Sequence, residues 1–135
     1  MYLSQSEVVR EYLSKIFKQK AKIEESDIPI YVNYSIPYYN IDKKRIIIYD
    51  IDTLTPMNFI GRDDVVRTQG FSVVVSDSDS KAAYDRSNSI MEYLTYIQQD
   101  GEVVGIDAVT DIEFIGINNK NYYIYRCDYV IRRLK

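Results

Sequence analysis

The sequence predicts an α+β fold, a mostly antiparallel β-sheet with two main helices packed on one face. Three observations predict it. Phe71 to Ser76 reads at a period of two, with Phe71, Val73 and Val75 on one side and Ser72, Val74 and Ser76 on the other. From Lys81 the period changes to 3.6, with Ala83, Ser87, Ile90, Met91, Leu94 and Ile97 on one helical face and Asp85, Arg86, Glu92 and Gln99 elsewhere. Between them stands a polar corner, Ser76-Asp77-Ser78-Asp79-Ser80, whose side chains can bond nearby backbone amides and cap a helix. A strand feeding a helix through such a corner is the core of a sheet with a helix laid on it.

The elements follow in the order helix-strand-strand-strand-helix-strand-strand. Ser4 or Ser6 caps a first helix, with Glu7 favourable in its first turn. Its apolar stripe is Val9, Tyr12, Leu13, Ile16 and Phe17, and Lys15, Lys18, Lys20 and Lys22 gather toward the end that complements the helix dipole. Glu24 to Asp27 is an acidic connector. Ile28 to Tyr34 is a strand, Pro37 and Asn40–Lys44 mark a turn, and Arg45 to Ile51 is a second strand whose apolar run implies burial on both faces. These two strands are expected as a hairpin or a neighbouring antiparallel pair.

Thr53 to Asp64 holds Pro56 and Gly61, lacks a clean period, and reads as a long loop or projecting arm. Met57, Phe59 and Ile60 are apolar residues on it, which either fold back onto the core or bind a partner. With Arg62 they form a candidate interaction surface. After the central strand and helix, Asp100 and Gly101 are expected to end the helix. Val103 to Val109 is a short connector or strand, and Asp111 to Ile117 a strand. Asn118 to Asn121 is a turn suited to a hairpin, because asparagine tolerates positive φ. Tyr122 to Arg132 closes the sheet, with Tyr123, Tyr125, Cys127, Tyr129 and Ile131 on one face and Ile124, Arg126, Asp128, Val130 and Arg132 on the other.

Composition narrows the function classes. The 135 residues fit one domain, residues 1–135, with the arm at 53–64 as an elaboration. A 46% hydrophobic and 27% charged balance is globular. A net charge of −3 gives no reason to expect generic nucleic-acid affinity. One cysteine rules out an intramolecular disulfide and a cysteine zinc cluster. The absence of histidine removes the commonest general base and metal ligand together. No apolar run approaches the roughly 18 residues that a membrane span needs, and no signal peptide precedes the first helix. Fourteen tyrosines with no tryptophan suit half-buried sheet faces and protein interfaces.

The chemical motifs are thin. Ile46 to Thr55, IIIYDIDTLT, is a hydrophobic strand ending in Asp-x-Asp, a partial match to the haloacid-dehalogenase-type phosphatases. That resemblance implies Asp50 as nucleophile and Asp52 as general acid and base beside Mg²⁺. Thr53 and Leu54 follow where that family has Gly then Thr, and the alternating helices of a parallel sheet are missing. Asp77 and Asp79 fail the calcium-loop pattern, whose sixth position, here Ala82, must be glycine. Asp63-Asp64 beside Arg62 is an ordinary acidic loop pair. Cys127 alternates with tyrosines and reads as a small buried hydrophobe. No catalytic, cofactor or metal residue is assigned, and the chain reads as a non-enzyme.

The layout resembles the tail-terminator proteins of long-tailed bacteriophages, often described as minor capsid or tail-completion proteins. The stretches that carry it are VVREYLSKIF, the central GFSVVVSDSDSKAAYDRSNSIMEYL with its Ile90 and Leu94 pair, and the closing EFIGINNKNYYIYRCDYVIR. The resemblance implies a structural virion protein in the phage neck, assembled in the bacterial host cytoplasm. It would close with copies of itself into a hexameric ring that caps the head-proximal end of the tail tube, ends polymerisation, and joins tail to head. Its partners would be the tail tube protein and the head-tail connector, with no membrane and no specific nucleic-acid recognition. A head-tail connector or head-completion role is the alternative, and a Mg²⁺-dependent phosphatase on Asp50 and Asp52 a remote one.

Overall fold

A computed structural model describes residues 3–19, 28–33, 36–51 and 66–134, with side chains described through Lys15 in the first helix. The arm at Thr53–Asp64, with Met57, Phe59, Ile60 and Arg62, lies outside the described residues. So do Asp52, the Glu24–Asp27 connector, Lys20 and Lys22, and the side chains of Ile16, Phe17 and Lys18.

The chain forms α1 (Gln5–Gln19), β1 (Ile30–Val32), a 3₁₀ turn (Tyr38–Asn40), β2 (Arg45–Ile51), β3 (Val66–Asp77) and α2 (Ser80–Tyr96). It then forms β4 (Gln98–Asp100), β5 (Val103–Ala108), β6 (Glu113–Ile117) and β7 (Tyr123–Leu134). The strands make one sheet in the order β1-β2-β3-β7-β5-β4, with β6 also paired to β7. Every pairing except β1–β2 is antiparallel. The expected α+β architecture is the observed one, with two short strands, β4 and β5, filling the stretch after α2.

The long β3–β7 ladder is the spine. It runs in unbroken register from Val66↔Leu134 to Asp77↔Tyr123. Because side chains alternate, one face of this spine carries Phe71, Val73, Val75, Cys127, Tyr129 and Ile131 into the main core. Both helices cover that face, Val8, Val9, Tyr12 and Leu13 from α1 and Ala83, Ile90 and Leu94 from α2. A smaller core on the opposite face joins Ile47, Val74 and Ile124 to Ile41. β2 is therefore buried on both sides, as its apolar run requires.

Helix ends behave as the sequence suggests at their starts. Ser4 and Glu7 form a capping box: Glu7 N donates to Ser4 Oγ at 3.3 Å and Ser4 N to Glu7 Oε1 at 3.4 Å. Asp79 caps α2 by accepting from Lys81 N at 3.0 Å, and Asp77 accepts from Asp79 N at 2.9 Å.

Two expectations are corrected. β1 pairs with β2 in parallel, Ile30↔Ile46, so the two are not a hairpin. Asn33, at φ 51°, turns the chain out of β1, and residues 36–41 cross the sheet face opposite the helices before β2 re-enters in the same direction. Parallel neighbours require such a crossover in place of a tight turn. The helix does not end on Asp100 and Gly101. It closes at Ile97, whose N–H donates to Leu94 O at 3.1 Å, while Gly101, at φ 59°, turns the β4–β5 hairpin. Arg86, off the apolar stripe of α2, is nonetheless buried, because Asp77 stands within reach across the corner.

Candidate interaction surface

The residue that most resembled a nucleophile is committed elsewhere. Asp50 Oδ1 accepts from Ser6 N at 3.0 Å and from Ser6 Oγ, and its Oδ2 accepts from Asn33 Nδ2 at 2.8 Å. Its own N–H donates to Asn33 Oδ1 at 2.7 Å. The carboxylate thus fastens the start of α1 and the exit of β1 to the end of β2. Ser6, expected as a possible cap, is drawn into this network while Ser4 does the capping. Cys127 is buried in the main core, its Sγ 3.3 Å from Thr110 O, and burial pushes its thiol pKa up. Among the described residues there is no cluster of three carboxylate, cysteine or histidine side chains able to hold a metal.

The tyrosine-rich closing strand splits into two regimes. Tyr129 lies wholly inside, its ring stacked on Phe71 at 5.1 Å between centroids, and burial drives its phenol pKa upward. Tyr123 and Tyr125, further toward the start of the strand, are only half-buried. Tyr125 meets Tyr84 of α2 edge-on at 5.8 Å and Phe114 of β6 at 5.2 Å, and Phe114 also meets Tyr123 at 6.4 Å. A contiguous aromatic patch therefore runs from α2 across β7 to β6.

The patch exists because of an irregularity in β6. The register steps from Phe114↔Tyr125 to Gly116↔Ile124, leaving Ile115 at a bulge, and Gly116 takes φ 153°. The bulge places Phe114 and Ile117, three residues apart, on the face shared with Tyr125 and Tyr123. Phe114 is 51% exposed, Ile117 50% and Tyr84 45%. Among the described pairings β6 is hydrogen-bonded on one side only, to β7. A short strand that is apolar and unpaired along one edge is a template for another strand.

Sequence reading placed a strand here but did not single out Phe114, Ile115 and Ile117. The available signal was the run itself: four of the five residues of EFIGI are apolar or glycine, too many for one buried face of an edge strand.

No family model and no curated protein matches the sequence. Solved structures do resemble the fold. A chain from the virion of a native gene transfer agent particle superposes with a TM-score of 0.60 at 9% identity, covering 92% of this chain and 94% of that one. A second solved chain gives a TM-score of 0.52 at 13% identity, covering 98% of this chain and 97% of its own length. At these identities the likeness shows the fold alone, shared over nearly the whole length of each chain.

On the face opposite the helices a shallow groove of about 450 Å³ is lined by Ile36, Pro37, Tyr38, Tyr49, Ile51, Ser72 and Arg126. Its one cation, Arg126, is held by Asp128 with Nε 3.0 Å from Oδ1. Burial, helped by the neighbouring Tyr38, raises the Tyr49 pKa, so this phenol stays protonated and acts as a hydrogen-bonding group rather than a base. No helix among the described residues is long and apolar enough to cross a membrane. What these surfaces offer is contact: an apolar strand edge at one end of the sheet and an apolar-walled groove behind it.

Proposed function

We propose that this chain is a structural virion protein of a bacteriophage-like particle, acting as a tail terminator. In this reading copies of it close into a hexameric ring on the last ring of the tail tube, stop its growth, and present a surface to the head-tail connector. Binding is the whole activity. The observation that carries the proposal is the near full-length likeness to a chain of a gene transfer agent virion. It is supported by the exposed aromatic edge around Phe114 and by the structural commitment of Asp50, the best candidate nucleophile. Ring closure needs a heterologous contact between two different patches of one subunit, and the uneven surface of this sheet suits it.

The test is to add the purified chain to tail tube protein during tube polymerisation. Electron microscopy then reads tube length and the occupancy of tube ends, alongside native mass spectrometry of the chain alone. Shortened tubes with a ring at one end only are expected. Tubes of unaltered length with bare ends would overturn the terminator role. Binding instead to portal-attached adaptor rings would move the chain to the head side of the neck.

A further inference from the structure

Two edges of the sheet, β1 on one side and β6 on the other, stand at the same height. One row of partners runs from Ile30 of β1 through Ile46, Val75 and Tyr125 to Phe114 of β6. The next row runs from Tyr31 through Ile47, Val74 and Arg126 to Glu113. Among the described pairings β1 joins only β2, and β6 only β7. We infer that the outer edge of β6 accepts β1 of a second copy of this chain, so that the sheet continues from one subunit into the next. The inference rests on the self-assembly part of the proposed function and names the contact that carries it.

Strand direction and backbone phase both fit. β1 runs with β2, and each step from β2 through β3 and β7 to β6 reverses direction, so β1 and β6 run opposite ways. A neighbour in the same orientation therefore brings its β1 antiparallel to β6. Pro29 O accepts from Ile46 N at 2.9 Å and Asn33 N donates to Ile48 O at 2.8 Å. Residues 29, 31 and 33 thus turn their backbone groups toward β2, and Ile30 and Val32 turn theirs outward. Along the other ladder Tyr122 O accepts from Asn118 N at 3.1 Å, and Asp128 O from Val109 N at 2.8 Å. By alternation Arg126 faces Glu113, whereas Phe114, opposite Tyr125, turns its N–H and C=O outward. Ile30 of one copy and Phe114 of the next then form a hydrogen-bonded pair, with Tyr31 opposite Glu113 in the adjoining non-hydrogen-bonded position.

Side chains agree with this register. Ile30 and Phe114 belong to a row on the helix-covered face, so an apolar residue meets the exposed aromatic edge. On the other face Arg45 stands over the Tyr31 ring, its Cζ 5.3 Å from the centroid. Its Nε is buried with no hydrogen-bond partner among the described residues. Glu113 is exposed, and opposite Tyr31 it brings a carboxylate beside that cation. This complementarity selects β1 as the occupant, since pairing two β6 edges would bring no new cation to either Glu113. Donor and acceptor edges differ, so the contact is heterologous and repeats into a closed ring or an open filament.

Cysteine cross-linking tests this in the full-length chain. One preparation carries Tyr31→Cys and another Glu113→Cys. Within one chain the two positions are four strand spacings apart, roughly 19 Å at about 4.8 Å each, far beyond the roughly 7 Å that a disulfide allows between Cα atoms. Any disulfide between them therefore joins two copies, and Cys127 is buried away from both. Under mild oxidation a linked dimer is expected in the mixture and in neither preparation alone. A chain carrying both cysteines should give a ladder of linked oligomers. Absence of the cross-link at every concentration overturns the contact; if native mass spectrometry still shows oligomers, the ring reading stands without it. A linked dimer from Glu113→Cys alone would show β6 pairing with β6 and would also overturn it. As a second readout, Glu113→Lys should weaken self-association about tenfold by setting a cation against Arg45, whereas Glu92→Lys on the exposed side of α2 should not. Equal effects from the two, with circular dichroism unchanged, would count against the site. Cross-linking that succeeds where tube capping fails would retain the contact and reject the terminator role.

Discussion

Arg86 Nη1 donates to Asp77 Oδ2 across 3.0 Å, with both side chains buried. The pair joins the last residue of β3 to the second turn of α2, and Asp77 Oδ1 at the same time accepts from Asp79 N to shape the corner between them. One carboxylate thus sets the direction in which the helix leaves the sheet. Breaking a buried pair from one side leaves a charge without a partner, which costs about 3–5 kcal/mol. Arg86→Met is expected to lower stability by about that amount in urea denaturation. The double variant with Asp77→Asn should recover much of the loss, because the asparagine oxygen can still accept from Asp79 N without a buried charge.

Asp50 is expected to matter for stability and for nothing catalytic. Asp50→Ala removes three accepted hydrogen bonds at a partly exposed strand end, a loss of about 1–2 kcal/mol. Thermal melting should show it, and phosphoester turnover with Mg²⁺ should be absent before and after the change. Turnover in the parent chain that Asp50→Asn abolishes would reinstate the phosphatase reading.

What the sequence revealed and what it hid divide along a physical line. The faces of β3 and β7, the bounds of β2 and the capping corner follow from local periodicity and side-chain chemistry, and each was legible. The parallel pairing of β1 was not, because strand direction is decided by residues 36–41 crossing to the second core, a tertiary choice with no local signature. Arg86 falls outside the apolar stripe of α2, and its burial has no local signature because its partner Asp77 is nine residues back, across a turn. The β6 patch depends on a bulge at Ile115, and a period-two reading cannot see a register shift. The candidate residues Met57, Phe59, Ile60 and Arg62 stand in an aperiodic stretch that lies outside the described residues.

Alkaline pH should destabilise the fold earlier than ordinary tyrosines would. Tyr12 donates to Asp100 Oδ2 at 2.8 Å, and burial first, then that hydrogen bond, raise its pKa well above its usual value of 10.0. Burial does the same to Tyr129. In the unfolded chain both phenols ionise near pH 10, whereas the folded chain keeps them protonated, so above that pH the native state binds more protons. Stability contributed by these groups is present below pH 10 and falls as pH rises further, by up to about 1.4 kcal/mol per unit for each group. Urea midpoints measured from pH 8 upward should fall beyond pH 10, and Tyr12→Phe should make that fall shallower. An identical slope in the variant would reject the assignment.

Gly116 should resist substitution more than its exposed neighbours. Its φ of 153° lies where side chains are rarely found, and nothing stands within 4 Å of the position a Cβ would take, so the cost of Gly116→Ala is conformational rather than steric crowding. About 1–2 kcal/mol is expected, with faster amide exchange confined to β6 and the start of β7. A global loss of protection would mean that β6 supports the spine rather than decorating it.

Asn118 holds the β6–β7 hairpin to the far side of the sheet, and its removal should be the costliest single polar deletion outside the Asp77–Arg86 pair. Its Nδ2 donates to Tyr38 O at 2.9 Å and Ile41 O at 2.7 Å, and its Oδ1 accepts from Lys120 N and Tyr122 N, both at 3.0 Å. The amide therefore uses all four of its bonding positions, which only asparagine offers at this length. Asn118→Ala should cost about 3 kcal/mol, since each accepted or donated bond contributes near 1 kcal/mol and two carbonyls lose a partner. Asn118→Asp is the sharper test. It keeps the acceptor side but points a carboxylate at the Tyr38 and Ile41 carbonyls, so it should be at least as damaging as alanine near neutral pH. Acidification through the carboxylate range should restore part of the loss, because a protonated acid can donate to one of those carbonyls. A variant whose stability ignores that titration would show that the clamp is held by the turn backbone instead of by the side-chain amide.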